Sequence, residues 1–318
     1  MMELTGLHHV SAMTAQAARN VEFYTRLLGM RLVKKTVNQD DTTSYHLFYG
    51  DEIGRPGTEL TFFDIAHLAP NRPGSRSISR TALRVTGREA LAYWQERFAE
   101  HGVTHGELRL EGGRAVLPFE DFEGQRLALV DDEGAPLPGG TPWDKSTAPV
   151  GMGIRGLASV NLTVADPEPT AWVLTEVMGF RLAENEAGTE PDEQVLIFDT
   201  GPGGPGAQVR LHVRPDLPPE RLGRGGVHHV AFRVPDLDEH DGWIRRLAAM
   251  GVRNSGIIDR YYFQSIYFRE PNGILFELAT DGPGFVTDED EETLGERLAL
   301  PPFLEPQRER IESRLDPL

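Results

Sequence analysis

Two pairs of adjacent histidines and one glutamate are the residues of this sequence best suited to chemistry. His8-His9 stands near the start of the chain in GLHHV, and His228-His229 stands about two-thirds along it in GVHHV. Glu277 follows 48 residues after His229, inside the apolar run ILFELA. Two histidines and one carboxylate from separate strands form the ligand set of a non-haem metal site that keeps open positions. The spacing therefore predicts a metal centre built from distant parts of the chain.

A weak fourfold repeat provides the elements that must position these residues. Each unit begins with a strand, continues with an amphipathic helix that ends at a glycine, and is completed by three more strands. The units span approximately residues 7–63, 79–131, 156–214 and 228–279. One such unit cannot bury both faces of its sheet, so the units must pair. We expect an α+β fold of four βαβββ modules.

The domain organisation follows from the repeat and from one Pro- and Gly-rich stretch. We predict an N-terminal pair of modules at 1–131, a linker at 132–155 and a C-terminal pair of modules at 156–282. Residues 283–318 leave the pattern, with an acidic run at 288–292 and a final amphipathic stretch. We expect this last segment to pack as a tail across the body.

The repeat strengthens the case for the histidines. A single His-His pair is usually structural, but this dipeptide occupies the same place in the first and fourth units, whereas the third unit has Ala158-Ser159 there. Adjacent residues of a strand point to opposite faces, so only one histidine of each pair can face a given site. This alternation alone does not decide which one.

Glu277 is an independent indication, and Glu59 is a complication. A carboxylate between Phe276 and Leu278 in a buried strand is costly unless it is paired or binds a cation. Glu59 lies 50 residues after His9 and aligns with Glu277 by the repeat. Four ligands, with Glu59 among them, would suit Zn or Ni, whereas three would leave Glu59 merely near the metal or facing solvent.

Composition narrows the class of protein. The 318 residues include no cysteine, which excludes disulfides, thiolate ligands and iron–sulfur clusters. A formal net charge of −17 disfavours nucleic acid and anionic membranes as partners. No apolar run approaches the length of about 18 residues that a transmembrane helix needs. The start MMELTGLHH does not resemble a signal peptide. We therefore expect a cytoplasmic protein.

An aromatic-rich segment precedes Glu277 and suggests the kind of substrate. Tyr261, Tyr262 and Phe263 lie close to Arg260 and Tyr267 in sequence. One arginine and several phenols fit a small, aromatic, anionic substrate, although aromatic residues are also ordinary in strands. Arg260 and Tyr267 would lie on opposite faces of one unbroken strand. They can share a site only if a bulge or turn intervenes.

These strings resemble the vicinal oxygen chelate superfamily, whose modules pair into half-barrel-type sheets around a metal. More narrowly, LVKKTVNQDD at 32–41, YHLFYGD at 45–51 and PGT at 56–58 resemble bacterial hydroquinone-type ring-cleaving dioxygenases. The resemblance covers nearly the whole chain, including the linker with Trp143. It implies that His9, His229 and Glu277 are the Fe(II) ligands. It also implies that further residues surround them, namely His8, Ser11, His228, Arg260 and Tyr267.

At two positions this sequence differs from the family pattern, which affects the site residues that the resemblance implies. Ser11 stands where the relatives often have threonine, which keeps the hydroxyl. Glu59 stands where they have an apolar or aromatic residue, so the metal and the reaction depend on what Glu59 does.

The sequence thus predicts an Fe(II)-dependent dioxygenase that opens a para-diol ring, with a small aromatic diol and O2 as its partners. Tyr267 and Arg260 would hold the phenolate oxygen, and His228 or His8 would act as acid or base. One alternative is a glyoxalase-like isomerase that uses Zn or Ni, with Glu59 as fourth ligand or base. Another is a non-catalytic protein that binds aromatic compounds or confers resistance to them. Mn is a further alternative to iron as the bound metal. Exposed sheet edges would allow a homo-oligomer.

Overall fold

A computed structural model of the protein describes residues 2–190 and 192–318 and shows an α+β fold. Within these residues, sixteen strands form two eight-stranded sheets, and five α-helices accompany them. None of the described helices is long and apolar enough to cross a membrane. The predicted fold class, four βαβββ modules in two curved sheets, is confirmed.

Each module supplies four strands. Those of module one are Leu7–Thr14 (β1), Arg31–Val37 (β2), Tyr45–Gly50 (β3) and Glu59–Asp64 (β4). Those of module two are Ser77–Val85 (β5), Arg109–Glu111 (β6), Arg114–Glu120 (β7) and Arg126–Asp131 (β8). Those of module three are Leu157–Val164 (β9), Arg181–Ala187 (β10), Gln194–Asp199 (β11) and Gln208–Val213 (β12). Those of module four are Val227–Val234 (β13), Asn254–Asp259 (β14), Gln264–Arg269 (β15) and Leu275–Thr280 (β16).

One helix follows the first strand of each module, and a fifth lies near the C-terminus. The helices are Ala17–Val21 (α1), Gly87–Glu100 (α2), Glu168–Trp172 (α3), Leu237–Ala249 (α4) and Arg308–Glu312 (α5). Helices α1 and α3 continue as π-helical segments, Glu22–Leu27 and Val173–Val177. Short 3₁₀ segments occur at Val150–Met152, Phe285–Thr287, Glu291–Thr293 and Glu305–Gln307.

The boundaries of α4 show how the sequence sets these helices. Asp236 caps the start, because its side chain accepts a hydrogen bond from the backbone N–H of Glu239 at 2.9 Å. Gly251 follows the end with a φ of +73°, a conformation that glycine adopts without strain. Trp243 and Leu247 lie on the buried face and join the main hydrophobic core. The helix therefore supports the sheet from behind rather than contributing to the cup of the sheet.

The sheets pair modules across the chain and not in chain order. One sheet runs β14-β15-β16-β13-β1-β4-β3-β2, so that it joins modules one and four. The other runs β10-β11-β12-β9-β5-β8-β7-β6 and joins modules three and two. The sheets are therefore not formed by the sequential pairs of modules within 1–131 and within 156–282. The first strand of each N-terminal module pairs antiparallel with the first strand of a C-terminal module. As domain boundaries, these ranges, which include the undescribed residues 1 and 191, stay a prediction.

The C-terminal residues pack along β2. The Lys34 ammonium is buried, donates to the Asp288 carboxylate at 2.6 Å and to the Phe285 carbonyl at 3.1 Å, and also contacts Glu289. Further along, Leu300, Leu304 and Ile311 form an apolar cluster with Val37. These contacts hold the tail next to the sheet of modules one and four.

Candidate metal centre

Three side chains from three strands converge at the middle of the sheet formed by modules one and four. His9 Nε2 lies 3.3 Å from His229 Nε2, and the carboxylate oxygen Glu277 Oε2 lies 3.1 Å from the first and 2.9 Å from the second. All three residues are buried. These are the residues that the sequence and the family resemblance suggested, and the structure brings all three together.

The spacing of these three atoms fits a metal ion. Ligand atoms bound at about 2.1 Å and at right angles lie about 3 Å apart, which is the spacing found here. Burial favours a raised pKa for Glu277, whereas positive charge at His9 and His229 holds this pKa well below its usual range. When both Nε2 atoms carry lone pairs, a bound cation has to supply that positive charge. Among the described residues, Glu277 Oε2 receives no hydrogen bond. A buried, ionised oxygen without a donor is costly unless a cation binds it.

His8 orients the ligand nitrogen of His9. The Nε2–H of His8 donates to the Thr280 carbonyl at 3.0 Å, which leaves its Nδ1 as an acceptor. That Nδ1 lies 3.0 Å from His9 Nδ1, so His9 must donate there. The proton of His9 is then on Nδ1, and Nε2 presents a lone pair to the site. A partner that fixes the tautomer of a ligand histidine is a regular feature of metal sites.

The second histidine pair has the same contact between Nδ1 atoms, although no described hydrogen bond fixes the tautomer of His228. His228 Nδ1 lies 2.8 Å from His229 Nδ1, and a donor at His229 Nδ1 frees its Nε2 for a metal. Burial and the neighbouring imidazoles lower the pKa of both His8 and His228 to about 3. This differs from the expectation that these two imidazoles titrate near neutral pH. They are uncharged at pH 7 and are suited to positioning the ligands.

Ser265 holds the carboxylate of Glu277, and sequence reasoning missed it. Its Oγ–H donates to Glu277 Oε1 at 2.5 Å, which leaves Oε2 directed at the two histidines. Ser265 lies on β15, next to the strand that carries Glu277. A small hydroxyl residue directly before the apolar and aromatic residues 266–268 of β15 was the available signal.

Glu59 does not occupy the place of Glu277 in its own module, which corrects the alignment made from the repeat. Glu277 pairs with Ala231, two residues beyond His229, whereas Glu59 pairs with His9 itself. The counterpart of Glu277 in module one is therefore Thr61. Glu59 belongs to a separate group with His8 and His9, and its Oε2 lies 3.9 Å from His8 Nδ1. Burial raises the pKa of Glu59 well above its usual range.

A narrow aromatic cavity of about 40 Å³ opens onto His9 and His229. Its walls come from both modules of the sheet and include Phe48, Phe63 and Phe263. Phe263 packs against the His9 ring at a centroid distance of 5.2 Å, and Phe63 lies 6.3 Å from His229. The open side of the ligand set therefore faces flat, apolar surfaces.

Arg260 and Tyr267 share this cavity because a turn separates them. Strand β14 ends at Asp259, and β15 begins only at Gln264, so the strand predicted from Tyr261 onward starts three residues later. The Arg260 guanidinium lies 5.4 Å from the centre of the Tyr267 ring. Burial, followed by the charge of Glu277, raises the pKa of Tyr267, which therefore stays a neutral phenol.

Ser11 reaches the cavity indirectly, through a residue that the sequence analysis did not single out. Ser11 Oγ and Thr61 Oγ1 are 2.7 Å apart, and Thr61 Oγ1 lies 3.0 Å from His46 Nε2. His46 lines the cavity between the rings of Phe48 and Phe63, at 4.0 and 4.2 Å. Burial holds the pKa of His46 well below its usual value, so its ring is neutral. The alternation of β3 places it on the cup face, which was the only signal in the sequence.

The fold and the buried ligand set agree with a comparison of the sequence with known families. The Glyoxalase/Bleomycin resistance protein/Dioxygenase superfamily matches residues 6–129 and 156–278. The protein belongs to this superfamily. The resemblance to vicinal oxygen chelate proteins is thereby confirmed.

Two similar sequences and one similar crystal structure indicate the kind of enzyme within this superfamily. The chain is 52% identical over 321 residues to "Putative ring-cleaving dioxygenase MhqA" of Bacillus subtilis, with 100% of each chain covered. It is 32% identical over 319 residues to the chlorohydroquinone/hydroquinone 1,2-dioxygenase of Sphingobium indicum, with 96% and 94% covered. A crystal structure of a "putative dioxygenase" from Bacillus subtilis matches with a TM-score of 0.89 and 34% identity, covering 100% of this chain and 98% of the other. The relatives are thus named as dioxygenases.

Proposed function

We propose that this protein is an Fe(II)-dependent dioxygenase that opens the ring of a hydroquinone-type (para-diol) compound with O2. One observation carries the proposal: three buried ligand atoms from His9, His229 and Glu277 stand about 3 Å apart beside an aromatic cavity. Two nitrogens and one carboxylate oxygen on one face form the ligand set of non-haem Fe(II) oxygenases. The names of the relatives support the same reaction class.

The chemistry that Fe(II) supplies when bound is the activation of O2, with three positions left for O2 and a substrate oxygen. The chain supplies the rest. Glu277 contributes a fixed negative charge, and His8 and His228 hold the two imidazoles in the tautomer that presents Nε2. The reacting centre is thus defined before the substrate arrives, which lowers the cost of reorganisation.

Arg260 and Tyr267 would bind a substrate oxygen. Both line the cavity beside His229, and the Tyr267 ring lies 5.7 Å from the His229 ring. A guanidinium stabilises a phenolate, and a neutral phenol donates one hydrogen bond to it. Phe48 and Phe63 would enclose the ring faces and exclude water.

The substrate ring must widen the cavity. A cavity of about 40 Å³ is smaller than the roughly 150 Å³ that accepts benzene in a protein interior. Gln39 and Asp40 stand at its wall, and both contact Arg260. The Gln39 side-chain amide donates to the Arg260 backbone carbonyl at 2.8 Å, and the Asp40 carboxylate accepts from the Arg260 guanidinium at 2.9 Å. Asp40 is exposed, so this loop can move without opening the core. We propose that substrate entry separates Asp40 from Arg260.

The proposal is tested by anaerobic purification, loading with Fe(II), and measurement of O2 uptake with methylhydroquinone. Iron-dependent uptake with a new ring-opened absorbance supports it, and Zn(II)-loaded protein is the control. Catechol serves as a comparison of diol geometry. Absence of iron-dependent uptake overturns it.

The isomerase alternative depends on Glu59. Its carboxyl is buried with a raised pKa and groups with His8 and His9 rather than with His229 and Glu277, which does not favour it as a fourth ligand. Turnover of a substrate without O2 by the Zn- or Ni-loaded protein would support that alternative. Retained binding of an aromatic compound after chelation, without turnover, would support the non-catalytic one.

A further inference from the structure

The sheet formed by modules two and three lines a second cavity, open to solvent on one side, which the proposed dioxygenase reaction does not use. Its volume is about 320 Å³, within the usual range for small-molecule sites. Arg80, Asn161, Arg210 and His212 are among the residues that line it. None of these residues belongs to the sheet that carries the metal ligands.

The strand registers show which residue of the second sheet replaces Glu277. In the first sheet, Glu277 on β16 pairs with Ala231, the fifth residue of β13. In the second sheet, Arg210 on β12 pairs with Asn161, the fifth residue of β9. A guanidinium therefore stands at the position of the metal-binding carboxylate.

The strand registers also show which residue of the second sheet corresponds to His9. His9 directly precedes Val10, which pairs with the central valine of β13. Arg80 directly precedes Thr81, which pairs with the equivalent valine of β9. A second guanidinium thus replaces this imidazole.

The remaining ligand position is taken by a hydroxyl. Ser159 is the third residue of β9, as His229 is the third residue of β13. The second cup therefore exchanges two imidazoles and a carboxylate for two guanidiniums and a hydroxyl. Its chemistry is inverted, because the positions that attract a cation in one sheet present hydrogen-bond donors in the other.

The two guanidiniums are covered by carboxylates from the edge strands. Arg80 donates to Glu111 of β6, at 3.0 Å for one of its two hydrogen bonds, and Arg210 donates to Glu186 of β10. Among the described residues, the Nε atoms of both arginines are buried without an acceptor. Each arginine therefore keeps at least one buried donor that no described residue satisfies.

Asn161 provides a complementary, unsatisfied acceptor. The residue is 3% exposed, and its Nδ2–H donates to His212 Nε2 at 2.8 Å. His212 in turn donates from Nδ1 to Glu193 at 2.8 Å, which fixes the orientation of the amide. The amide oxygen Asn161 Oδ1 has no hydrogen-bond partner within residues 2–190 and 192–318. A buried acceptor of this kind fits a ligand hydroxyl.

The charge of the cavity wall differs from that of the whole protein. Five arginines and four glutamates line the cavity, while the chain carries a net charge of −17. In so acidic a protein, a local excess of arginine marks a place where an anion is tolerated. Guanidinium groups bind carboxylates in a planar, two-pronged geometry.

We propose that the cup of the second sheet binds a small organic carboxylate that carries a hydroxyl group. Arg80 and Arg210 bind the carboxylate oxygens, and Asn161 Oδ1 accepts the hydroxyl proton. Glu111 and Glu186 act as internal competitors, which the ligand displaces from the guanidiniums. The binding does not depend on the metal centre or on the proposed dioxygenase activity.

Competition of this kind gives two substitutions opposite effects. Arg210→Gln removes a donor and weakens ligand binding by about tenfold or more, as expected for one charge-assisted hydrogen bond. Glu186→Gln removes a competitor, keeps the size of the side chain and strengthens binding several-fold. A role limited to structure would not produce tighter binding after the loss of a carboxylate.

The test is isothermal titration calorimetry of the purified full chain with hydroxymalonate, malonate and inorganic phosphate. We expect saturable binding of hydroxymalonate at one site per chain and weaker binding of malonate, which lacks only the hydroxyl. We expect Asn161→Ala to bind both equally. Phosphate binding without carboxylate binding would overturn the assignment of the ligand class.

Two control variants locate the binding. Arg308→Gln breaks an exposed Arg–Glu pair in the tail and should leave the affinity unchanged. His229→Ala disables the metal centre and should also leave it unchanged, whereas loss of binding there would place the carboxylate in the first cup and contradict the proposal. Absence of saturable binding in both the unaltered protein and Glu186→Gln would overturn it, even if Arg210→Gln fails to fold.

Discussion

His9 Nε2 and His229 Nε2 lie 3.3 Å apart although 220 residues separate them in the chain. Their strands pair antiparallel at the centre of one sheet, and Glu277 reaches them from the next strand. The candidate metal centre is thus located at the seam between the first and the last module.

The ligand assignment predicts the effect of removing His229. His229→Ala should abolish stoichiometric Fe(II) binding and lower O2 uptake to background, because the two remaining ligands cannot retain the metal. Metal content after gel filtration and O2 uptake are the measurements. His212→Ala removes a histidine of the other sheet and is the matched control. An iron-loaded, active His229→Ala variant would disprove the assignment.

Loss of His8 should weaken Fe(II) binding less than loss of His229, because His8 only fixes the tautomer of His9. His8→Ala should weaken Fe(II) affinity by roughly 10- to 100-fold, because His9 loses the acceptor that holds its proton on Nδ1. His228→Ala should have a similar effect through His229. Competition with a fluorescent chelator measures both. Unchanged affinity in both variants would show that these imidazoles do not orient the ligands.

The ion pair between Arg260 and Asp40 predicts opposite changes in KM. Arg260→Gln should raise KM for methylhydroquinone by about tenfold, since one charge-assisted hydrogen bond to the substrate is lost. Asp40→Asn should lower KM, because the guanidinium is released from its partner. Steady-state O2 uptake by iron-saturated protein measures both. Equal KM values in the three proteins would exclude Arg260 from substrate binding.

We expect the free energy of unfolding to depend on pH through the carboxyl of Glu220. Burial raises the pKa of Glu220 to about 7, above its usual value near 4.5. The folded state therefore favours the protonated form, so this contribution to stability is present below about pH 4.5 and is lost as the pH rises through about 7.

Glu220→Gln removes this dependence and keeps an oxygen for the hydrogen bond from Asn71. Compared with the unaltered protein, the variant should gain up to about 3 kcal/mol in free energy of unfolding at pH 8 relative to pH 4.5. Urea unfolding at the two pH values measures the difference. Parallel stability curves for both proteins would contradict the burial argument.

Much of the fold could be predicted from local patterns. Glycines such as Gly251 end the helices, and apolar runs such as that around Glu277 mark buried strands. The pairing of modules within the sheets could not be predicted, because the shared His-His dipeptide indicates that β1 and β13 meet at one metal centre but not that they are hydrogen-bonded neighbours in one sheet. It is decided by the packing of whole sheets.

The candidate site shows the same division. The types of His9, His229 and Glu277 and the repeat were sufficient to suggest a metal centre. Glu59 was misaligned with Glu277 because the loops within modules one and four differ in length, and only the strand register identifies Thr61 as the counterpart. His46 and Ser265 were missed, because their roles arise from neighbours on adjacent strands.

Insertion of O2 into an aromatic ring by this protein can be measured by isotope labelling. Iron-loaded protein would be mixed with methylhydroquinone under ¹⁸O2, and the product would be analysed at once by mass spectrometry. A dioxygenase would give a ring-opened product that contains both labelled oxygen atoms, formed by the Fe(II) protein and not by His229→Ala. Formation of the unlabelled quinone alone, at equal rates with both proteins, would contradict it.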